Sequence, residues 1–520
     1  MAAEPIKDRH IRRQIIIGTA ANSIAKFVAL GTWFFLTPFI LRELGVAQYS
    51  LWVLVGSVVA YGSLLDFGIG GAVVKYIAEH RSRNDLGAAQ SLIATALWLY
   101  CGLGLLAVLA SLVLAPLFPA LIHLPPEEEA TARWLIIVMG INVGVALPSA
   151  VPLSVLRGLQ RYEITNALST IALLISAGAT AVILWLGGGV VAMAAVNIPI
   201  ALATQIPGII AIARIAPELR FGWRGARRDL AWEVLTFSSS IFLNDVAGYL
   251  QTKTDELVIA ASMAIGAVAP YSIARKLSEA ALLFTDQFLK VLLPIASSLH
   301  AENDRRRLQA LYLNATRLAC AIYLAFGLIL VMLAGPLLTL WVGAEYAAYA
   351  PLVTILTVAG LISISQWSGA AILQGMARHR ILGFTALGSG IANLLLSLTL
   401  IGPLGLVGVA LGTLIPTAIE CIFIIQPYAL RTIGVRWGDI LRQAYGPALL
   451  PALPAVAVLA TLQQMVAINS FWMLALVAGA GLAVYLTGYF TLGAGSVERN
   501  LIRDAVQRVS GMVQTYRAGP

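Results

Sequence analysis

Charged residues are scarce in this chain: Asp, Glu, Lys and Arg make up only 11% of its 520 residues. A soluble globular protein carries about 25%, and a single soluble core rarely extends over a chain of this length. The composition therefore excludes an ordinary water-soluble domain. It predicts a protein whose outer surface is largely apolar and faces lipid.

Cysteine and histidine are also rare. Cys101, Cys320 and Cys421 lie far apart in apolar runs and form no CxxC pair, and the five histidines are scattered along the chain. Neither residue type has the spacing of metal ligands. We interpret the cysteines as small buried side chains. The sequence predicts no metal site and no cofactor.

Motifs for energy supply and for sugar-transfer chemistry are missing. The sequence contains no GxxxxGK[ST] motif, which excludes an ATP motor of the Walker type within the chain. It has neither the DxD metal motif nor the large external loop that a membrane glycosyltransferase or polymerase would need. A net charge of +9 would suggest a nucleic-acid partner in a soluble protein, but its distribution fits a membrane topology instead. We predict a protein that is not an enzyme and binds no nucleic acid.

Long apolar stretches are abundant. Hydrophobic residues make up 59% of the chain, and its mean hydropathy is +0.86. A helix needs about 20 mostly apolar residues to cross a bilayer. The pattern predicts an all-α polytopic membrane protein with about 14 transmembrane helices, centred on residues 14–40, 48–66, 88–115, 132–156, 163–186, 190–213, 233–259, 267–298, 308–334, 349–375, 381–401, 405–428, 444–463 and 470–492.

The distribution of Lys and Arg predicts the orientation. When the N-terminus is assigned to the cytoplasm, the outer loops contain only Arg42 and Arg133, and every other Lys or Arg in a loop falls on the inner side. Cytoplasmic loops carry an excess of basic residues, and one miscounted helix would reverse the side of all later loops. We therefore predict an even number of spans with both termini in the cytoplasm.

The first and second parts of the chain resemble each other. Displacing the sequence by the length of six spans aligns Asn22 with Asn244, Val46 with Val268, and Tyr49 with Tyr271. An even displacement gives both parts the same orientation, which is a parallel repeat. We predict two parallel six-helix lobes, two extra C-terminal helices and a cytoplasmic amphipathic tail, at residues 1–213, 214–430, 431–495 and 496–520.

Twelve ionisable residues fall inside the predicted spans. A charge that faces lipid at the bilayer centre costs at least about 2.5–3.5 kcal/mol, so these side chains must face water, protein or one another. Helical geometry groups several of them in a stripe on the eighth span. The basic residues are Lys26, Lys253, Arg275, Lys276, Lys290 and Arg317, and the acidic ones are Asp245, Asp255, Glu256, Glu279, Asp286 and Glu420.

Two interpretations of these charges stay open. Arg275–Glu279 and Asp286–Lys290 are i,i+4 pairs that could neutralise each other within the helix. Alternatively, the charges border a hydrated passage. On that interpretation Lys276 is the first candidate to bind an anionic headgroup. The predicted substrate-binding residues are Lys26, Lys253, Arg275, Lys276, Lys290 and Arg317. The predicted ion-coupling residues are Asp245, Asp255, Glu279 and Asp286.

Residues 45–80 contain three motifs: Tyr-x-Leu-Trp at Tyr49–Trp52, Leu-Asp-Phe-Gly-Ile-Gly at Leu65–Gly70, and Lys-Tyr-Ile-Ala-Glu at Lys75–Glu79. Together they resemble the second-helix region of the polysaccharide transporter family, the O-antigen or exopolysaccharide flippases of the multidrug/oligosaccharidyl-lipid/polysaccharide exporter superfamily. The stretch Asp255–Arg275, which ends in Tyr-Ser-Ile-Ala-Arg, resembles the corresponding piece of the second half.

This resemblance implies two six-helix lobes around a central cavity. It also implies that an undecaprenyl-diphosphate-linked oligosaccharide is moved from the inner to the outer leaflet of the cell inner (plasma) membrane by alternating access. The implied partners are the polyprenyl-diphosphate-linked glycan and membrane lipid, with a polysaccharide polymerase as a further candidate. Coupling to an ion gradient is a hypothesis, because the chain lacks an ATP motor.

Two other transporters of the same superfamily remain as alternatives. A lipid II flippase shares the plan of fourteen helices, and the placement of charge does not exclude it. An ion-coupled multidrug exporter usually has twelve helices, so the extra C-terminal pair predicted here counts against it. A purely structural membrane protein is disfavoured because it would not tolerate so many charges within its spans.

Overall fold

The computed structural model describes residues 4–122, 124–219, 221–289, 292–378 and 380–495. The described part of the chain contains helices, turns and short connections and no strand. The predicted all-α class is therefore confirmed. The helices up to residue 301 are α1 (Glu4–Gly62), α2 (Ile69–Ser82), α3 (Leu86–Leu121), α4 (Pro126–Gly158), α5 (Tyr162–Trp185), α6 (Val190–Ala195), α7 (Asn197–Ile215), α8 (Arg228–Ser262), α9 (Val268–Leu289) and α10 (Leu292–Ala301).

The later helices include three π-helical segments, at Ile419–Ile425, Leu441–Tyr445 and Tyr489–Gly493. Each continues directly from the helix before it. The remaining helices are α11 (Arg305–Trp341), α12 (Ala350–Gly375), α13 (Arg380–Ala418), α14 (Gln426–Ile433), α15 (Trp437–Ile440), α16 (Gly446–Leu449), α17 (Ala452–Met465) and α18 (Phe471–Gly488).

The helices are long and apolar enough for a multi-pass membrane protein. Ten continuous stretches of the described chain meet the length and apolarity of a span, and two of them, Asn22–Ser82 and Arg380–Ile433, are 61 and 54 residues long. The first includes most of the predicted span 14–40 and all of 48–66, and the second includes the predicted spans 381–401 and 405–428. Helices α8 and α9 are not among the ten, because the seventh and eighth predicted spans carry the charged residues.

Two glycines kink the longest helices. Gly45 interrupts α1 with φ 73° and ψ 171°, and Gly405 interrupts α13 with φ 57° and ψ −138°. Residues with a Cβ are strained in these regions, so glycine is required at both kinks. Each glycine separates two spans that the sequence predicts as neighbours with a minimal connection.

Local sequence explains several helix starts. Asp85 and Asp304 cap α3 and α11 by accepting hydrogen bonds from the backbone N–H groups of Ala88 and Arg307. Helix α4 begins with a proline and carries Glu127–Glu129 in its first turn, where carboxylates complement the helix dipole.

One predicted span contains a local irregularity. The sequence predicts a helix over residues 190–213, and the structure places α6 and α7 there, separated only by Val196, whose φ of −62° and ψ of −22° are helical. Pro199 lacks the N–H that would bond to the carbonyl of Ala195, which explains the irregularity.

The chain forms two compact units. Unit 1 contains Met1–Ser272 and Ala386–Val409, and unit 2 contains Ile273–Thr385 and Ala410–Pro520. In unit 1 a buried cluster joins α2, α3, α4 and α7 and includes Ile77, Ile93, Val151 and Ile212. In unit 2, α11 contributes to four buried clusters, two of which contain Tyr312 and Tyr323. The domain boundaries that follow from the repeat stay a prediction, and the predicted amphipathic tail lies outside the described residues.

Candidate functional site

The ionisable residues predicted in unit 1 differ in burial. Asp255 is fully buried in α8, whereas Lys253 and Lys26 are half-buried. Asp245 lies in the same helix as Asp255, and its side chain is outside the described part of the structure. Glu256, next to Asp255, is 3% exposed. Two adjacent acidic side chains are therefore sequestered from solvent near the C-terminal end of α8.

A tyrosine holds the carboxylate of Asp255. The hydroxyl of Tyr271 donates a hydrogen bond to Asp255 Oδ2 over 2.5 Å. One residue earlier in α8, Thr254 Oγ1 lies 2.6 Å from the hydroxyl of Tyr61. The hydroxyl of Tyr271 therefore fixes the position of a buried carboxylate that the sequence predicts as an ion-coupling group.

The predicted stripe on the eighth span begins with an ion pair in unit 2. Arg275 Nε lies 3.2 Å from Glu279 Oε1, so the predicted i,i+4 pair is confirmed. The Arg275 side chain is 9% exposed and that of Glu279 is 46% exposed. The carboxylate thus remains accessible while its partner is buried. Lys276 follows Arg275 and is half-buried.

The other two members of that stripe are Asp286 and Lys290. Asp286 belongs to α9, but its side chain is outside the described part of the structure, and Lys290 lies between the described ranges. Within unit 2 the structure therefore brings Arg275, Lys276 and Glu279 together within two turns of one helix.

Arg317 is 8% exposed and lies in α11. Its Nη1 donates to the carbonyl of Gln443 at 3.2 Å, and its Nη2 donates to Asn314 Oδ1 at 3.0 Å. Gln443 belongs to the π-helical segment Leu441–Tyr445. Arg317 therefore contributes to the attachment of this segment to α11, in addition to the headgroup role predicted from the sequence.

The motif Leu65–Gly70 forms a turn between two helices. Phe67 and Gly68 both adopt left-handed conformations, with φ 47° and 73°. Asp66 Oδ1 accepts hydrogen bonds from the hydroxyl of Tyr100 and, at 3.4 Å, from the N–H of Gly70 in the first turn of α2. The aspartate of this motif therefore stabilises the turn.

The connection between α7 and α8 is fastened to α3 by three side chains. Gln90 donates to the carbonyl of Glu218 at 2.7 Å, Trp98 donates to the carbonyl of Trp223 at 3.1 Å, and Thr95 Oγ1 accepts from the N–H of Arg227 at 3.0 Å. We call residues 216–227 the strap. Aromatic and basic residues are enriched at membrane interfaces, and the strap contains both.

An exposed ion pair ends the strap. Arg227 Nε donates to Asp229 Oδ1 over 3.1 Å. This guanidinium lowers the pKa of the Asp229 carboxyl below its usual value. The interaction is therefore present above the usual carboxyl pKa and is lost as pH falls through the lowered value.

Sequence reasoning missed a buried amide network in unit 2. Gln426 Oε1 accepts hydrogen bonds from Gln366, from the hydroxyl of Tyr445 at 3.2 Å and from that of Tyr312 at 3.3 Å. The network borders a mostly apolar cavity of about 270 Å³. Its signal in the sequence was two uncharged glutamines within long apolar spans.

No group of His, Cys, Asp and Glu that could hold a metal ion occurs in the described ranges. The absence of a metal site stays a prediction for the whole chain. The available chemistry consists of buried carboxylates, half-buried cations, amides and hydroxyls. Such groups can bind ionic and polar cargo without forming or breaking covalent bonds.

Comparison with known sequences gives two matches. Residues 41–351 match the family described as polysaccharide biosynthesis protein. The uncharacterized membrane protein EpsK of Bacillus subtilis (strain 168) is 22% identical over 517 residues, which cover 96% of this chain and 99% of EpsK.

Comparison with solved structures gives the fold. The lipid II flippase MurJ in an inward closed conformation aligns with a TM-score of 0.71 and 15% identity, and the alignment covers 94% of this chain and 100% of that chain. An inward-facing multidrug resistance MATE family transporter of the MOP superfamily aligns with a TM-score of 0.66 and 17% identity, covering 79% of this chain and 94% of that one.

Proposed function

Because this chain belongs to the family of polysaccharide biosynthesis proteins that its residues 41–351 match, we propose that it is a flippase for a lipid-linked glycan. The cargo is an undecaprenyl-diphosphate-linked oligosaccharide, and it moves from the inner to the outer leaflet of the plasma membrane by alternating access. The observation that carries this proposal is the family match together with a fold shared with MurJ over 94% of the chain.

The ionisable side chains within the spans support this cargo. A diphosphate carries negative charge that lipid does not solvate, and Lys and Arg bind phosphate by charge-assisted hydrogen bonds. Lys276 is the leading candidate because it is half-buried beside the Arg275–Glu279 pair. The full proposed set of headgroup-binding residues is Lys26, Lys253, Arg275, Lys276, Lys290 and Arg317.

Ion coupling is the second part of the proposal. Asp245, Asp255, Glu279 and Asp286 are the proposed coupling residues. The buried Asp255 with its Tyr271 donor and the accessible carboxylate of Glu279 are the two whose surroundings the structure describes. A proton or a cation that binds such a carboxylate in only one conformation would bias the transport cycle.

The orientation in the membrane is a further part of the proposal. We propose that both termini and the strap lie on the cytoplasmic side, where basic loops are concentrated. Proteolysis of inside-out vesicles is expected to cut the strap, which includes the exposed Arg224, whereas intact spheroplasts should protect it. A polysaccharide polymerase on the outer side would then receive the flipped repeat.

The direct test is a headgroup-accessibility assay on cells that carry Lys276→Ala. We expect lipid-linked repeats to accumulate in the inner leaflet. Lys276→Arg, which keeps the charge, should retain most of the transport, and Arg133→Ala tests an exposed ion pair outside the proposed set. Normal outer-leaflet exposure in Lys276→Ala cells would remove Lys276 from the mechanism.

A lipid II flippase is the second candidate, supported by the same full-length likeness to MurJ. Reconstituted vesicles that contain either lipid II or another undecaprenyl-diphosphate-linked oligosaccharide distinguish the two. Transport of lipid II alone would favour the second candidate. An ion-coupled multidrug exporter is less well supported, because the MATE alignment covers 79% of this chain.

A further inference from the structure

Two asparagines lie beside the junction of α6 and α7 in unit 1. Asn197 Nδ2 lies 3.3 Å from the carbonyl oxygen of Met193, and Asn142 Nδ2 donates to the carbonyl of Ala194 at 2.9 Å. Polar side chains commonly satisfy the backbone carbonyls near a proline in a membrane helix.

Both asparagines line a cavity of about 490 Å³ among α1, α4, α5 and α7. This volume lies within the range of about 300–1,000 Å³ that is usual for small-molecule sites. None of the described residues that line this cavity is charged. Its polar lining consists of Asn142, Ser169, Ser176, Asn197 and Thr204, and Trp52 contributes an aromatic ring.

The polar groups keep capacity for a ligand. Ser176 donates its hydroxyl hydrogen to Asn197 Oδ1 over 2.5 Å, which leaves the lone pairs of Ser176 available as acceptors. An amide oxygen has two lone pairs, so Asn197 can accept a further hydrogen bond. The cavity thus offers acceptors to the hydroxyl groups of a ligand without offering it a counter-charge.

The rest of the wall is apolar. Met139, Val143, Leu173 and Ile200 line the cavity, and Trp52 is half-buried beside them. A pyranose matches both parts of this lining. Its C–H faces can pack on the ring of Trp52, and the hydroxyl groups at its edge can bond to the polar side chains. A few polar groups in a mostly apolar pocket fix the orientation of a ligand in this way.

We propose that this cavity is a binding site for an uncharged sugar residue of the cargo, an assignment that rests on the proposed flippase function. The diphosphate is disfavoured because no cation is among the described residues that line the cavity. The polyprenyl chain is disfavoured because it has no hydroxyl to donate to the acceptors that Ser176 and Asn197 keep. On this proposal Trp52, in the motif Tyr49–Trp52, contacts the sugar, whereas the motif Leu65–Gly70 stabilises a turn.

The experiment measures the binding of methyl glucoside and methyl N-acetylglucosaminide to the full-length protein in detergent by saturation-transfer NMR. Removing the aromatic face with Trp52→Ala should weaken binding by about fivefold, the scale of one aromatic contact. Trp52→Phe keeps a ring and should stay within about twofold of the parent protein. Ser169→Leu leaves Trp52 in place and narrows the cavity, so it should also weaken binding.

Farnesyl diphosphate, a polyprenyl diphosphate without a sugar, serves as the competitor. It should not displace the glycosides. Equal glycoside binding by Trp52→Ala and Ser169→Leu, displacement by farnesyl diphosphate, or no glycoside binding by the parent protein would each overturn the sugar site.

The leaflet assay separates this proposal from the flippase itself. Suppose that Lys276→Ala blocks transport, whereas Trp52→Ala and Ser169→Leu bind glycosides and transport as well as the parent protein. The proposed sugar site is then wrong, and the proposed flippase function is retained. If the parent protein binds glycosides at the cavity and moves no lipid-linked oligosaccharide, the flippase fails and the cavity remains a sugar site.

Discussion

Tyr271 donates its hydroxyl hydrogen to Asp255 across 2.5 Å, and both side chains are fully buried. The first lies in the first turn of α9 and the second in α8, so one hydrogen bond within unit 1 joins two successive helices. A hydrogen bond to a charged group contributes about 1.5–3 kcal/mol. This contact accounts for part of the fixed position of Asp255.

Replacing this donor should destabilise the protein. Tyr271→Phe keeps the ring and removes the hydroxyl, so the free energy of unfolding should fall by about 1.5–3 kcal/mol. Thermal unfolding of the purified protein in detergent measures the change. The matched control is Tyr162→Phe, at a tyrosine that is 45% exposed, and it should leave Tm nearly unchanged. Equal Tm values for the two variants would contradict the contact.

The kink at Gly45 should reject a side chain. Gly45→Ala forces a Cβ into a backbone conformation that only glycine adopts readily, at a cost of about 1–3 kcal/mol. A Cβ at Gly45 would meet no neighbouring atom within 4 Å, so conformational strain alone causes this cost. Gly31→Ala is the control: it lies in the same helix with equally open space, and it should stabilise the protein by about 0.5–1 kcal/mol. If Gly45→Ala and Gly31→Ala changed Tm in the same direction, backbone strain at Gly45 would not be the cause.

The guanidinium of Arg317 should matter for stability apart from any headgroup role. Arg317→Met leaves the Gln443 carbonyl without this donor, and we expect a loss of about 1–3 kcal/mol in unfolding free energy. Arg133→Met, which breaks an exposed pair with Glu129, should cost no more than about 1 kcal/mol. Thermal unfolding compares the two variants. A smaller effect at Arg317 than at Arg133 would show that the contact contributes little.

The hydrogen bonds of the turn at Leu65–Gly70 predict which of two substitutions destabilises the protein more. Asp66→Ala removes the acceptor of the Tyr100 hydroxyl and of the Gly70 N–H, which together cost about 2–4 kcal/mol. Tyr100→Phe removes only the first contact and leaves the bond from Gly70 in place. We therefore expect Asp66→Ala to lower Tm further than Tyr100→Phe. The reverse order would mean that the phenol contributes more than its bond to Asp66.

The spans were predictable because a helix that crosses lipid needs about 20 mostly apolar residues in succession. The stretches predicted at 163–186 and 349–375 agree with α5 and α12 to within about a residue at each end. Charge in the seventh and eighth spans was also visible, and the structure confirms the Arg275–Glu279 pair at 3.2 Å. A spacing of four residues on a helix is enough to predict such a pair.

Other features have no local pattern. A π-helical segment such as Leu441–Tyr445 shifts the hydrogen bonds of its backbone by one residue, and neither hydropathy nor side-chain spacing reports that shift. The irregularity at Val196 lies within an apolar stretch that is long enough to span the membrane, so hydropathy does not report it. The cavity beside it depends on Asn142, which is distant in the chain, so only the folded structure brings its parts together.

The strap has a mechanical consequence. Its last hydrogen bond ties the N–H of Arg227 to Thr95, one residue before α8 begins at Arg228. The N-terminal end of that helix is thereby attached to α3. Near its other end the same helix is held by the bond from Tyr271 to Asp255, so the two ends of α8 are attached to different helices, α3 and α9.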